Sequence, residues 1–451
     1  MPNSLKSILN LVARLKEHML RHSKYLRPLG GTALALLIFT FSSKAIQDIV
    51  VFGAAIYAVY IAWRTGRGLA AWRQPAGIAF TALVLYIAFS LPFSCAPAAS
   101  FRDFTGMLEI FAGAFAIPVI FNTRRRLETA LLYSANAIIL TLAFDLCRLT
   151  YKLGSNLMEQ AHAFKPFILN HSNVASMMAG LTALVYFYFF WQWRRAKRRT
   201  AYTCLLGIIV ALTYQIVLAS RGPQLALALT IAVMGAFLPG TRRKIVWGLA
   251  IVCLGALLAV HSGKINPRIA PPPTSTTDTT TNAQTITARV ADFLRNNLNQ
   301  RDVVWKHTWS LAKQRPWFGH GYGKRNFTRI YYENDPPSSD YYYPHPHQYW
   351  LKLFFEFGWM GLLLHLAAWL ILAWQLLRRI YCEPTFTARL LPGTIALMLL
   401  CIHLYGLGDY PDNLVQMVQI WLIPVALVII AERADALYPR RHAPAPGMDV
   451  V

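Results

Sequence analysis

Apolar segments long enough to cross a lipid bilayer recur along the whole chain and alternate with polar connections. About 20 apolar residues in an α-helix cross the hydrocarbon core of a bilayer, and by this measure we count about twelve spans. They lie near residues 29–45, 46–63, 76–94, 105–122, 129–147, 173–193, 201–219, 223–240, 245–262, 358–377, 388–406 and 414–432. The pattern therefore predicts an all-α polytopic membrane protein.

Composition agrees with this prediction. The 451 residues are 55% hydrophobic and only 14% charged, with a mean hydropathy of +0.37. This apolar content exceeds what a single soluble core would bury. A soluble globular protein is therefore excluded.

Basic residues cluster on alternate connections between the predicted spans. The clusters lie at residues 6–27, 64–73, 124–126, 194–199, 242–244, 378–379 and 433–441. Lysine and arginine in short loops mark the cytoplasmic side, and with twelve spans every cluster falls on that side. Both termini are therefore expected in the cytoplasm. Topology and anionic membrane lipids account for the net charge of +24, so we expect no nucleic-acid partner.

The predicted spans divide the chain into five regions. These are a basic N-terminal arm (1–28), transmembrane helices one to nine (29–262), a large outer loop (263–346), an interfacial helix with the last three spans (347–432) and a cytoplasmic tail (433–451). Within the outer loop, the Pro- and Thr-rich residues 271–281 have too few apolar groups to order themselves. The outer loop holds most of the unusual polar chemistry.

The second part of this loop has a helical pattern over residues 287–314. Its apolar positions are Val290, Leu294, Leu298, Trp305, Trp309 and Ala312, and Arg315-Pro316 supplies a stop. This pattern predicts an amphipathic helix at the membrane surface. Arg301 falls within the apolar stripe, where it needs an anionic partner. That partner is either a protein carboxylate or a phosphate, whose geometry suits the guanidinium fork.

Two further arginines lie at the predicted outer face. Arg221 occupies a tight turn between two spans, where charge statistics disfavour arginine. It either anchors the chain at the interface or binds an anionic lipid headgroup. Arg148, one turn beyond Asp145, is expected to form an intrahelical ion pair and ranks third as a phosphate ligand.

His347 stands where the outer loop re-enters an apolar segment, after Pro344-His345-Pro346. If a helix begins at His347, its N-terminal dipole and nearby arginines disfavour the imidazolium form, which leaves a neutral base. The alternative is a cap or a lipid-interface residue. Glu356 would lie on the opposite helix face, so it is a poor candidate for orienting His347. Gly358 and Gly361 allow a bend or a close helix contact.

Several site signatures are absent from the sequence. The outer loops contain no Asp-x-Asp pair, and the chain contains no His-Glu-x-x-His motif and no Gly-x-x-x-x-Gly-Lys loop. The six cysteines are scattered at or within the spans. We therefore predict neither a metal site nor a cofactor.

The sequence over roughly 200–361 resembles the O-antigen ligase family. His347-Gln348, nine residues, Gly358, two residues and Gly361 match that family's pattern of His, then Asn, Ser or Gln, nine residues, Gly, two residues, then Gly, Thr or Tyr. Further matches are Arg301, Trp305 and the run Pro316-Trp-Phe-Gly-His-Gly321. The twelve-span plan and the long, partly helical periplasmic loop are also similar to the wider ligase/polymerase superfamily.

The resemblance implies a site on the periplasmic side of the bacterial inner membrane. The donor would be a glycan on undecaprenyl pyrophosphate, and the acceptor a sugar hydroxyl of lipid A-core. Arg221 and Arg301 would match the arginines that hold the pyrophosphate, with Arg289 and Arg295 as alternatives to Arg301, and His347 would match the base. His345, His320 and Tyr322 could line a sugar groove, although aromatic residues also crowd bilayer interfaces.

This chemistry fits the residue inventory. A sugar hydroxyl benefits from a base, whereas pyrophosphate leaves readily once its charge is stabilised. Since no carboxylate is placed as a nucleophile, the sequence predicts an inverting, metal-independent transfer. The alternatives are an O-antigen polymerase, a protein O-oligosaccharyltransferase and, with Asp145 and Glu109 as intramembrane groups, a lipid-linked glycan transporter.

Overall fold

The structure, a computed structural model, describes residues 44–66, 68–153, 166, 171–218, 220–236, 301–334, 343–409 and 413–437. Most of these residues are helical. The helices are α1 (Lys44–Thr65), α2 (Leu69–Trp72), α3 (Pro75–Ser90), a 3₁₀ turn (Leu91–Phe93), α4 (Pro97–Thr105), α5 (Leu108–Ile120), α6 (Arg124–Leu153), α7 (Ser172–Trp193), α8 (Arg198–Leu218), α9 (Arg221–Ala236), α10 (Arg301–Ala312), α11 (Lys324–Glu333), α12 (Tyr349–Cys382), α13 (Phe386–Gly408) and α14 (Asn413–Leu437).

Nine helical segments of the described ranges are long and apolar enough to cross a membrane. Each coincides with one of the predicted spans, so the all-α polytopic membrane fold is confirmed. The predicted span 223–240 is represented by α9, which is described only as far as Ala236. The predicted span 245–262, and all but the end of 29–45, lie outside the described residues. The total of twelve spans stays a prediction.

Helix α7 forms the centre of the bundle. Its spanning window is 83% buried, and it packs against α6, α8 and α13. Small residues on α7 allow this close packing between membrane helices. At Gly180, a Cβ atom would lie 2.8 Å from the Nε2 atom of Gln215 on α8. The N-terminus of α7 is thereby held firmly against its neighbours.

Helix α12 is broken at Gly358, as the sequence predicted for its glycine pair. Gly358 adopts φ 59° and ψ −161°, a conformation that non-glycine residues hardly populate. A Cβ atom here would lie 2.4 Å from the carbonyl carbon of Trp317 and 2.5 Å from the carbonyl oxygen of Pro316. Gly361 accommodates the Phe357 side chain, which folds back across the break.

The segment 316–321 satisfies the backbone groups that this break exposes. Two N–H groups after the break donate to the segment, and two carbonyls before the break accept from it. The bonds are Trp359 N–H to Pro316 O (2.7 Å), Met360 N–H to Trp317 O (3.1 Å), His320 N–H to Phe355 O (2.8 Å) and Gly321 N–H to Glu356 O (2.9 Å). An interrupted membrane helix needs such partners, because its freed groups have no water to bond in the bilayer.

Helix α10 is the described part of the predicted amphipathic helix, whose residues 287–300 lie outside the described ranges. It ends before Arg315-Pro316, as expected. Its buried face carries Val304, Thr308 and Leu311 and packs against α12. Trp309, one of the predicted apolar positions, is 44% exposed and packs against Phe354, and the contact of this helix with the membrane surface stays a prediction.

Candidate active site

His347 lies just outside helix α12. The expected helix start at His347 is wrong, since α12 begins at Tyr349 and Gln348 is its N-cap. The Gln348 side chain accepts a hydrogen bond from the Leu351 N–H group. His347 itself adopts φ 53°, the only positive φ of a non-glycine residue in the described chain. A left-handed backbone at a non-glycine residue is the kind of strain that is often found at functional sites.

Asp409, at the end of α13, holds the His347 ring. The Nδ1 atom of His347 lies 3.0 Å from Oδ1 of Asp409, and the two side chains are 25% and 9% exposed. A carboxylate can only accept a hydrogen bond, so this contact places the imidazole proton on Nδ1. The Nε2 lone pair is then left available to accept a proton.

The same carboxylate binds Arg301. The Nη2 atom of Arg301 lies 3.2 Å from Oδ2 of Asp409, while its Nη1 donates to the carbonyl oxygen of Gly408. Four residues along α10, the indole N–H group of Trp305 donates to the carbonyl oxygen of Pro346 at 2.8 Å. Arg301 and His347 are therefore fixed relative to each other by two independent contacts.

Arg221 is connected to this group through its neighbour Ser220. The Ser220 hydroxyl hydrogen bonds to Oδ1 of Asn173, and the Asn173 amide donates to Oδ2 of Asp409 at 3.1 Å. Arg221 is partly buried. Among the described residues, no side chain forms an ion pair or hydrogen bond with Arg221. Its charge is thus available to an external anion.

Three helix N-termini lie at these residues. Helices α7, α9 and α12 begin at Ser172, Arg221 and Tyr349, each within two residues of Asn173, Ser220 or His347. A helix N-terminus carries a partial positive charge and unpaired N–H groups. The arrangement favours a bound anion, and we call it the site end of the bundle.

His345 packs against His347, with ring centroids 4.2 Å apart. Burial, with smaller contributions from His347 and Lys352, lowers the pKa of His345 to about 2. The ring is therefore neutral at physiological pH, and its Nδ1 accepts a hydrogen bond from the His347 N–H group at 3.3 Å. His345 supports the turn that presents His347.

The other predicted site residues occupy different surroundings. His320 is buried, and its ring stacks on that of Phe355. Its Nε2 atom hydrogen bonds to the carbonyl oxygen of Leu311 at 2.9 Å. Burial lowers the pKa of His320. Tyr322 stacks on Phe357 at 5.9 Å. The structure thus places His320 within the packing of the broken-helix region, and a sugar groove at His345, His320 and Tyr322 stays a prediction.

Arg148 lies on α6. Its Nη1 atom is 3.7 Å from Oδ1 of the fully buried Asp145, which confirms the predicted intrahelical pair. The hydroxyl of Tyr214 also hydrogen bonds to Asp145, at 3.3 Å. Arg148 therefore has a counter-ion of its own, and its role as a third phosphate ligand stays a prediction.

The analysis of the sequence missed Asp409, Asn173 and Ser220. Asp409 lies 62 residues beyond His347, and its only local signal is an acidic side chain directly after an apolar span. The reasoning against Glu356 holds, because its buried carboxylate pairs with Lys352 at 3.3 Å. Within the described ranges, no group of three or more His, Cys, Asp or Glu side chains converges in a way that could hold a metal ion.

A cavity of about 390 Å³ lies between α3, α5, α12 and α14. Its walls are mostly apolar, with the Lys352–Glu356 ion pair and Tyr349 among the few polar groups. Tyr349, two residues beyond His347, is the lining residue nearest to the proposed base along the chain.

Comparison with known proteins agrees with the resemblance noted from the motifs. No curated protein matches the chain. The family model that matches is described as O-Antigen ligase, and its match covers residues 216–366. This range includes Arg221, Arg301 and His347, and it ends before Asp409. Over residues 216–366, the chain is therefore similar to the O-antigen ligase family.

Proposed function

We propose that this protein transfers a glycan from undecaprenyl pyrophosphate to a sugar hydroxyl of lipid A-core. The family match supports an enzyme of the ligase/polymerase type in a multi-pass membrane protein. One observation supports the finer proposal most directly: a single carboxylate, Asp409, joins an arginine and a histidine at the site end. We place this site on the periplasmic side of the bacterial inner membrane, with both termini in the cytoplasm, because of the distribution of basic loops.

His347 is the proposed general base. Its Nδ1 proton is held by Asp409, so Nε2 takes the proton from the acceptor hydroxyl. The hydroxyl oxygen then bonds to the anomeric carbon as the bond from that carbon to the pyrophosphate oxygen breaks. Attack from the face opposite the leaving group inverts the anomeric configuration. Asp409 acts as a positioning residue that also stabilises the imidazolium formed.

Undecaprenyl pyrophosphate leaves with the electron pair of the broken bond. Its developing negative charge needs donors that are already oriented, since reorienting them during the reaction would cost free energy. Arg221 and Arg301 are the proposed ligands, with the N-termini of α7, α9 and α12 adding their partial charges. The apolar cavity bordered by Tyr349 supports a substrate with a hydrocarbon chain.

A polymerase of O-antigen repeats is the second candidate, because the family match does not separate ligases from polymerases. We expect deletion of the gene to leave lipid A-core without O-antigen and to cause carrier-linked polymer to accumulate, as seen on a lipopolysaccharide gel. Cores bearing a single repeat would instead identify a polymerase. Normal lipopolysaccharide would contradict both assignments, leaving protein oligosaccharide transfer or glycan transport.

We predict that transfer needs no divalent cation, because arginines and helix N-termini supply the positive charge at the leaving group. The purified protein should keep its full transfer rate in excess EDTA. Addition of Mg²⁺ or Mn²⁺ after dialysis serves as the control and should change the rate less than about twofold, as expected if no metal stabilises the transition state. An absolute requirement for a divalent ion would contradict this prediction.

A further inference from the structure

Arg301 already has an anionic partner in the structure. Its two terminal nitrogens bind Oδ2 of Asp409 and the carbonyl oxygen of Gly408. These are the nitrogens with which a guanidinium fork would bind two oxygens of a phosphate. A diphosphate that binds Arg301 in this way must therefore compete with the end of α13.

The two oxygens of the Asp409 carboxylate contact different groups. Oδ1 is 3.0 Å from His347, and Oδ2 is 3.2 Å from Arg301 and 3.1 Å from the Asn173 amide. The neighbouring guanidinium neutralises part of the carboxylate charge that would otherwise act on His347. If Arg301 left, Asp409 would keep its hydrogen bonds to His347 and Asn173.

The two arginines are therefore not equivalent. Arg221 has no ion-pair partner among the residues that the structure describes, whereas Arg301 has one. The Arg301 guanidinium is 25% exposed, whereas the Asp409 carboxylate is buried, at 9% exposed. Leaving a buried charge without a partner is costly, so the carboxylate can be released only to an anion that pairs with Arg301 in its place.

We propose that Asp409 is an exchangeable counter-ion, which the diphosphate of the donor displaces from Arg301. The inference rests on the proposed function. In the empty site, Asp409 neutralises Arg301; with the donor bound, Arg301 binds phosphate and Asp409 keeps its contacts with His347 and Asn173. The exchange at Arg301 thus links donor binding to the carboxylate that positions the proposed base.

Binding of inorganic pyrophosphate to the purified full-length protein tests this exchange by titration calorimetry. Replacing Asp409→Asn should strengthen pyrophosphate binding about three- to tenfold, because Arg301 no longer has to leave a carboxylate. The same replacement should lower the transfer rate, since His347 loses its orienting partner. In protein that already carries Arg301→Gln, Asp409→Asn should strengthen pyrophosphate binding by less than about twofold, because the arginine that the carboxylate occupied is gone. Such a loss of additivity in a double-mutant cycle indicates that the two residues interact.

Asp103→Asn is the matched control. Asp103 pairs with Arg325 at 3.3 Å, so this variant also removes one carboxylate and releases one arginine, but on α4 and α11. Its affinity for pyrophosphate should equal that of the wild type. If Asp409→Asn lowers the unfolding temperature, Asp409→Ser removes the same charge with a smaller side chain.

Each outcome separates the exchange from the proposed function. The exchange would be overturned if Asp409→Asn bound pyrophosphate no more tightly than the wild type. It would also be overturned if Asp409→Asn strengthened binding as much in the Arg301→Gln background as with Arg301 present, since this would indicate a general charge effect. In both cases, the proposed function would stand if Arg221→Ala weakens pyrophosphate binding. If the wild type does not bind pyrophosphate, or Arg221→Ala binds it unchanged, the proposed diphosphate site itself fails.

Discussion

Replacing His347 with alanine is expected to lower the rate of glycan transfer by about 10²- to 10⁴-fold, the usual contribution of a positioned general base. Donor binding should change little, because the proposed diphosphate ligands are Arg221 and Arg301. The measurement is the rate of transfer to lipid A-core by purified protein, together with the affinity for inorganic pyrophosphate. His347→Gln, which keeps a polar side chain without a proton acceptor of similar basicity, should lose transfer to the same extent.

His307→Ala is a suitable control for this experiment. His307 lies on α10 and packs edge-on against Tyr331 with ring centroids 4.9 Å apart. Its removal should leave the transfer rate within about threefold of wild type, because surface and edge substitutions away from a site have small effects. If His347→Ala lost donor binding and transfer equally, His347 would have a structural role instead. Transfer at the wild-type rate would exclude it as the base.

Replacing Gly358 with alanine is expected to destabilise the protein by at least about 2 kcal/mol, because its backbone conformation is accessible almost only to glycine. The added Cβ atom would also meet backbone atoms of Pro316 and Trp317 at 2.4–2.5 Å. The segment 316–321 would have to move away and leave backbone groups unpaired on both sides of the break. Thermal unfolding in detergent and the transfer rate should both fall.

Gly393 offers the matched control on α13. It has ordinary helical geometry, and a Cβ atom there would have no neighbour within 4 Å. Gly393→Ala should therefore keep or slightly raise the unfolding temperature, because alanine favours a helix over glycine. An unfolding temperature for Gly358→Ala equal to that of Gly393→Ala would show that segment 316–321 does not depend on the break in α12.

The broken helix connects the fold to the proposed chemistry. Residues 349–357 form a buried helical segment between the His347 turn and Gly358, and α10 packs against this segment through the cluster containing Val304 and Phe355. Because α10 carries Arg301, the segment helps to set the distance between the proposed base and the proposed phosphate ligand. The glycines of the motif thus have a structural role, whereas the chemical role of His347 is the one proposed above.

The sequence by itself determined the membrane fold, most span positions and the candidate base. These follow from local properties: apolar segments of bilayer length, basic loops on one face, and a motif whose parts lie within 15 residues of one another. Even the bend at Gly358 was predictable, because glycine is the residue that tolerates such a backbone. The start of α12 was misplaced by two residues, since an N-cap and the residue before it differ little in sequence pattern.

Only the tertiary structure decided which groups meet at the site end. Asp409 is 62 residues from His347 and 108 from Arg301, and nothing local distinguishes it from any other acidic residue at a helix end. Its partners follow from the packing of α13 against α12 and α9, which no periodicity encodes. The buried face of α10, which carries Val304 and Leu311, likewise depends on the helix that packs against it. Charge and hydropathy act through single residues and short segments, whereas a site depends on distances between helices that only the packed bundle fixes.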